Sequence, residues 1–174
     1  MNFAYTVAAA TAADVPALVQ LINSAYRSEP AQAGWTGEGH LLSGPRTDDA
    51  ALHELLQTPA ATILTYHDAA HQLRGCVFVQ PQQGTLYLGL LAVQPHAQAQ
   101  GIGKQLLRAA EAHARQHACR SITITVLSAR PELMAWYERH GFRASGETQP
   151  FPADARFGVP AQPLTLVEML KVLP

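Results

Sequence analysis

Apolar residues recur at helical spacing early in the chain: Val15, Leu18, Val19, Ile22 and Tyr26 stand three and four residues apart. That stripe predicts an amphipathic helix ending near residue 28. Thr11, followed three residues later by Asp14, reads as a capping-box variant that starts it. Residues 3–9, aromatic and β-branched with weak alternation, predict a strand ahead of the helix. Leu52, Leu55 and Leu56 mark a second, shorter helix over 48–57. The period then shortens. The segments 61–66 (ATILTY), 74–80 (RGCVFVQ) and 85–93 predict three strands, and their short connections favour antiparallel neighbours. A stripe of Ile102, Leu106, Ala110 and Ala114 restores the helical period over 101–117. The segment 121–127 (SITITVL) is strongly β-branched and predicts a strand. A helix over 131–140 has proline in its first turn, Arg139 and His140 in its last, and Gly141 just beyond. The segment LTLVEMLKV predicts a final strand.

Two stretches fit neither period. Residues 29–46 hold four glycines and two prolines, and residues 150–163 are similarly irregular. Loops of this length in a compact domain are uncommon unless they serve a function.

Length and composition narrow the classes. The chain has 174 residues, 48% of them hydrophobic and 14% charged, enough for one domain with a proper core. A net charge of −1 with no basic block gives no sign of a nucleic-acid partner. No apolar run approaches the ~20 residues needed to cross a bilayer, and the first residues lack a positive n-region, so a membrane partner and a secretory signal are not expected. Cys76 and Cys119 are far apart and form no CxxC pair, which argues against a metal or disulfide framework and for a cytoplasmic location.

The chemistry concentrates where a strand gives way to a helix, at AVQPHAQAQGIGKQLLRAAE (92–111). A P-loop fails here, because Gln98 stands where its first glycine belongs and Gln105 where its Ser/Thr belongs. A dinucleotide fingerprint fails at Leu106, its third glycine position. What remains is a helix start whose N–H groups lack intrahelical partners and whose glycines let an anion approach, with Lys104 nearby. The alternative is a turn that uses its glycines for geometry alone.

Gln98-x-x-Gly101-x-Gly103 after LLAVQP resembles the acyl-CoA signature Q/R-x-x-G-x-G/A of the GNAT N-acetyltransferase family. ELMAWYERHGF (132–142) resembles that family's later helix, with its tyrosine and Gly-Phe ending. The resemblance implies a single N-acetyltransferase domain over 1–174. Its fold class would be α/β (α+β in some schemes), with a mixed, mostly antiparallel sheet splayed between the fourth and fifth strands and helices on both faces. It implies acetyl-CoA as cosubstrate, no metal, a small-molecule amine as acceptor, and a possible homodimer. Leu91, Ala92 and Val93 would offer backbone groups to the pantetheine. Gln98, Ala99, Gln100, Gly101, Ile102, Gly103 and Lys104 would wrap the pyrophosphate. Many family members carry an asparagine seven residues before the tyrosine. Here the residue is Arg130, which could approach a CoA phosphate or sit exposed at the helix start.

Tyr137 is the implied general acid, although on spacing alone it reads as a core aromatic. Glu38 is the first candidate base, His40 the second, and water the third. Trp35, Thr36, Arg46 and Phe151, from the two irregular stretches, are expected to enclose the acceptor. Trp35 could equally be a buried loop anchor, and Arg46 could pair with Asp48 or Asp49. His113 and His117 lack the intervening glutamate of a zinc motif and suit a helix C-terminus. A non-catalytic acyl-CoA-binding or sensing module is the alternative to an enzyme.

Overall fold

Alternate side chains of the central strands enter two different cores, and the helices divide between them. The computed structural model describes residues 4–27 and 37–174. In spatial order, β1 (Thr6–Ala9), β3 (Thr62–His67), β4 (Leu73–Gln82), β5 (Thr85–Val93), β6 (Ser121–Leu127), β9 (Thr165–Val172) and β7 (Arg143–Pro150) form one sheet. Two short strands, β2 (Leu42–Ser43) and β8 (Val159–Pro160), pair with each other apart from it. Every pairing in the large sheet is antiparallel except β5 with β6.

Helices α1 (Val15–Tyr26) and α2 (Asp49–Gln57) cover one face. Their Leu18, Ile22 and Leu52 pack on Ile63, Cys76, Phe78 and Ala92. Helices α3 (Ile102–Gln116) and α4 (Pro131–Arg139) cover the other face. There Leu106, Ala110 and Phe142 pack with Leu64, Val77 and Val79. The alternation of Cys76, Val77, Phe78 and Val79 between the two clusters is the two-residue period of a strand buried on both sides. Among the described residues no helix is long and apolar enough to cross a membrane.

Local signals behave as their chemistry requires. The Thr11 backbone N–H donates to Asp14 Oδ2 at 2.7 Å, and the Asp14 N–H returns to the Thr11 carbonyl. This box opens a short 3₁₀ turn, Ala12–Asp14, that leads into α1. Asp48 accepts from the Ala51 N–H and caps α2. The strand β7 adds an element that the apolar pattern does not reveal. All eight of its residues are exposed, and it pairs only with β9, so it has no buried face to impose alternation.

Gly75 marks where α3 presses hardest on the sheet. A Cβ there would lie 3.0 Å from the Ala92 carbonyl oxygen, 3.0 Å from Leu106 Cδ1 and 3.1 Å from Ile102 Cγ2. Gly75→Ala is therefore expected to lower stability by about 1–2 kcal/mol, the overpacking cost exceeding the gain from a stiffer unfolded chain. Urea unfolding checks it; a midpoint at or above wild type would show that the helix yields freely.

Candidate active site

The parallel ladder between β5 and β6 is short, pairing only Thr85–Tyr87 with Ser121–Thr123. Beyond it the two strands part. Leu88–Leu91 form one wall of the resulting cleft and Ile124–Leu127 the other, enclosing about 320 Å³. A bulge shapes the first wall. Phe78 pairs with Gly89 and Cys76 with Ala92, so Leu90 and Leu91 together oppose Val77. Leu90 takes φ 47°, a left-handed conformation unusual for a side chain of its size.

Tyr26, the last residue of α1, fastens this bulge by donating from its hydroxyl to the Leu91 carbonyl at 2.7 Å. Burial holds the Tyr26 phenol protonated, well above its ordinary range. In the sequence Tyr26 shows only as the end of an apolar stripe. The available signal was chemical: a buried tyrosine hydroxyl needs an acceptor.

Tyr137 also lines the cleft and is only 6% exposed. Its ring meets Trp136 and Phe142 edge-on, at 5.0 and 5.4 Å between centroids. The ring thus packs in the core while the residue borders the cavity. Burial, reinforced by the neighbouring Tyr26 and Tyr87, pushes its pKa well above the ordinary phenol value, so it stays protonated throughout the useful range. Cys76, buried in the same sheet, is pushed up to about 12 by desolvation and is no nucleophile.

Three charged residues complete the cleft. Glu38 is not the solvated loop carboxylate that its glycine-rich setting suggests. It is 7% exposed, and Arg27 donates to its Oε1 from both Nε and Nη2, at 3.0 and 2.8 Å. Arg130 is 3% exposed rather than solvated at the helix start, and it forms an ion pair with Glu132. It lines this cleft together with Leu91, and not the hollow beside the glycine turn. Arg46 pairs with neither Asp48 nor Asp49 among the described contacts; its guanidinium lies over the Tyr26 ring, 5.5 Å from the centroid. His40 is exposed and absent from the cleft wall.

The two irregular stretches meet. The β2–β8 pairing joins them, and the Ala161 N–H donates to the Leu41 carbonyl. Gly158, at φ 106°, allows the contact, since a Cβ there would lie 2.4 Å from Arg27 Nη1. Phe151 consequently lines the cleft with Tyr137 and packs beside Leu41, Leu42 and Leu127. Trp35 and Thr36 lie outside the described residues.

A second hollow of about 580 Å³ opens beside the glycine turn, lined by Val93, Gln98, Ala99, Gly101, Ile102, Gly103 and Lys104. Gly101 caps α3 with φ 81° and ψ 7°, and a Cβ there would meet nothing within 4 Å. The turn needs glycine for its backbone conformation, and it leaves the way to the helix start open. The first N–H groups of α3 are those without intrahelical acceptors, and Lys104 is exposed beside them. The groove thus has the donors and the cation that a diphosphate requires. Gln98 turns inward, its Nε2 donating to the Val93 carbonyl at 3.2 Å. Gln100 lies across the turn, in a separate hollow with Arg74 and His96. Trp136 and His140 of the α4 region close the far wall of the groove. In the sequence His140 reads only as a residue of the helix's last turn.

The sequence pattern of the acetyltransferase (GNAT) family matches residues 19–142. An acetyltransferase of Agrobacterium fabrum is 31% identical over 87 residues, half of this chain and 62% of that one, so the match spans less than two thirds of that relative. Among solved structures, the ribosomal-protein-alanine N-acetyltransferase of Brucella melitensis superposes with a TM-score of 0.70 at 21% identity, covering 97% of this chain and 99% of that one. A single-site variant of the spermidine N-acetyltransferase of Vibrio cholerae gives 0.68 at 16%, covering 97% and 93%. These two share the fold while being named for unlike acceptors, a ribosomal-protein alanine and spermidine.

Proposed function

This chain belongs to the acetyltransferase (GNAT) family, and we propose that it transfers an acetyl group from acetyl-CoA to the amine of a small molecule by direct attack, with Tyr137 as general acid. The observation that carries the reading is the cleft, where an unpaired strand edge and a buried, protonated tyrosine share one cavity.

Acetyl-CoA supplies the acyl group as a thioester. The edge of β5 beyond Tyr87 offers N–H and C=O groups to which an extended amide chain can add like a further strand. Leu91, Ala92 and Val93 serve this purpose with the bulge fixed by Tyr26. The N–H groups at the start of α3, with Lys104, hold the diphosphate. Arg130, at the cleft end of α4, faces the reacting half of the cosubstrate rather than its phosphates.

The amine lone pair forms the new C–N bond as the C–S bond breaks and its electron pair leaves on sulfur. Tyr137 donates its proton to that sulfur, and the products are an amide and a free thiol. The phenol's raised pKa suits the task, because a thiolate formed in the same desolvated cleft is a stronger base than in water. Glu38 receives the proton that the amine sheds, directly or through water. Both Arg27 bonds fall on Oε1, which leaves Oε2 for this role.

The test follows free thiol while the protein is incubated with acetyl-CoA and an amine panel. Thiol release that requires the amine, with acetylated product seen by mass spectrometry, is the expected result. Acetyl-CoA binding with no turnover on any amine would make the chain a binding module instead.

A further inference from the structure

We infer that the acceptor is a small amine that also carries an anionic group, a carboxylate or comparable oxyanion, held by Arg46. The inference rests on the acetyl-transfer reading and adds the acceptor's chemical class to it.

It follows from the charge left over in the cleft. Of the charged residues that line the cavity, two are held in ion pairs: Glu38 with Arg27, and Arg130 with Glu132. Arg46 lines the same cavity, and among the described residues no carboxylate lies within ion-pair distance of it. Among the described residues, the lining Glu38, Arg46 and Arg130 carry one positive charge in excess. A half-buried cation that faces a cavity is costly to leave uncompensated, and a bound anion relieves that cost. A polyamine would add further positive charge.

The placement of Arg46 is built, not incidental. Asn23 of α1 accepts from the Arg46 N–H at 2.7 Å and from the Thr47 N–H at 3.1 Å, and its own Nδ2 donates to the Thr47 carbonyl. The backbone on both sides of the Arg46–Thr47 peptide is thus clamped to a helix. The guanidinium lies over the Tyr26 ring, and an arginine's planar N–H fork suits two-point binding of an oxyanion. Tyr26 in turn holds the Leu91 carbonyl, so anion site and splayed strand edge are joined through one side chain. The cavity, about 320 Å³, is of the size that holds a small acceptor.

The test measures kcat/KM by thiol release for the α-amino acids, their primary amides, spermidine and putrescine, on wild type and on Arg46→Gln and Arg46→Lys. The best acceptor should carry a carboxylate and exceed its own amide by about tenfold or more. Arg46→Gln should level that ratio, chiefly through a higher KM for the acid, and Arg46→Lys should restore part of it. Melting curves establish that both variants are folded. Turnover confined to amides and polyamines, or an acid-to-amide ratio unchanged by Arg46→Gln, overturns this inference and leaves acetyl transfer standing. Thiol release from no acceptor at all removes both readings.

Discussion

Replacing Tyr137 by phenylalanine is expected to lower kcat by about a hundredfold, the range for loss of a positioned acid, while the KM for acetyl-CoA stays near wild type. The substitution retains the ring, and with it the edge-on contacts to Trp136 and Phe142 that hold Phe142 in the core. Only the hydroxyl is lost, so the interaction removed is one that matters as sulfur acquires charge. The pH profile gives an independent check. The phenol's pKa is raised by burial and by two neighbouring tyrosines, so it remains protonated as pH rises through neutrality and past the ordinary phenol value. Activity should therefore rise with pH as the acceptor amine loses its proton, and no falling limb from Tyr137 should appear below about pH 10. Initial rates from pH 6 to 10 on both proteins measure this. Wild-type turnover in the phenylalanine variant would return Tyr137 to a packing role.

What the sequence disclosed and what it withheld divide along a physical line. Features set by neighbours in the chain were legible: the Thr11–Asp14 box, the short helix that follows Asp48, the apolar strand β4, the Pro131 start of α4. Each is a local preference that tertiary packing reinforced. The splay was legible only through the resemblance, because the bulge at Leu90 occurs in a run of apolar residues with no glycine or proline at the bulged position. Strand β7 left no trace in the apolar pattern, since an edge strand exposed on both faces has no hydrophobic side. The meeting of the two irregular stretches is a contact across about a hundred residues. Their glycines and prolines announced loops of fixed shape, but not that β2 would pair with β8.

The electrostatics were the least legible. Arg27 falls at the end of α1, and Glu38 in a segment that reads as solvated. Their ion pair exists because β8 and Gly158 close over the guanidinium. Whether a carboxylate is a solvated loop residue or a buried site residue is decided by what covers it, and the cover here comes from the far end of the chain.

Gly103→Asp is expected to weaken CoA binding by at least tenfold, about 1.4 kcal/mol, without unfolding the protein. Gly103 is the second residue of α3 and lines the groove that the first N–H groups of the helix face. An aspartate there brings a side chain and a negative charge to the point where a diphosphate would approach, and like charges at close range repel strongly where water is partly excluded. The same charge suits the positive end of the helix dipole, which works against any loss of helix stability. Binding and folding should therefore respond differently, and that difference makes the variant informative. Gly103→Ala serves as the steric control: calorimetry with CoA should show the aspartate variant well below the alanine variant in affinity, with both melting near wild type. Lower ionic strength should widen the gap, because less salt screens the repulsion less. Equal affinity for all three folded proteins would mean that the two glycines serve the geometry of the turn alone and that the diphosphate binds elsewhere.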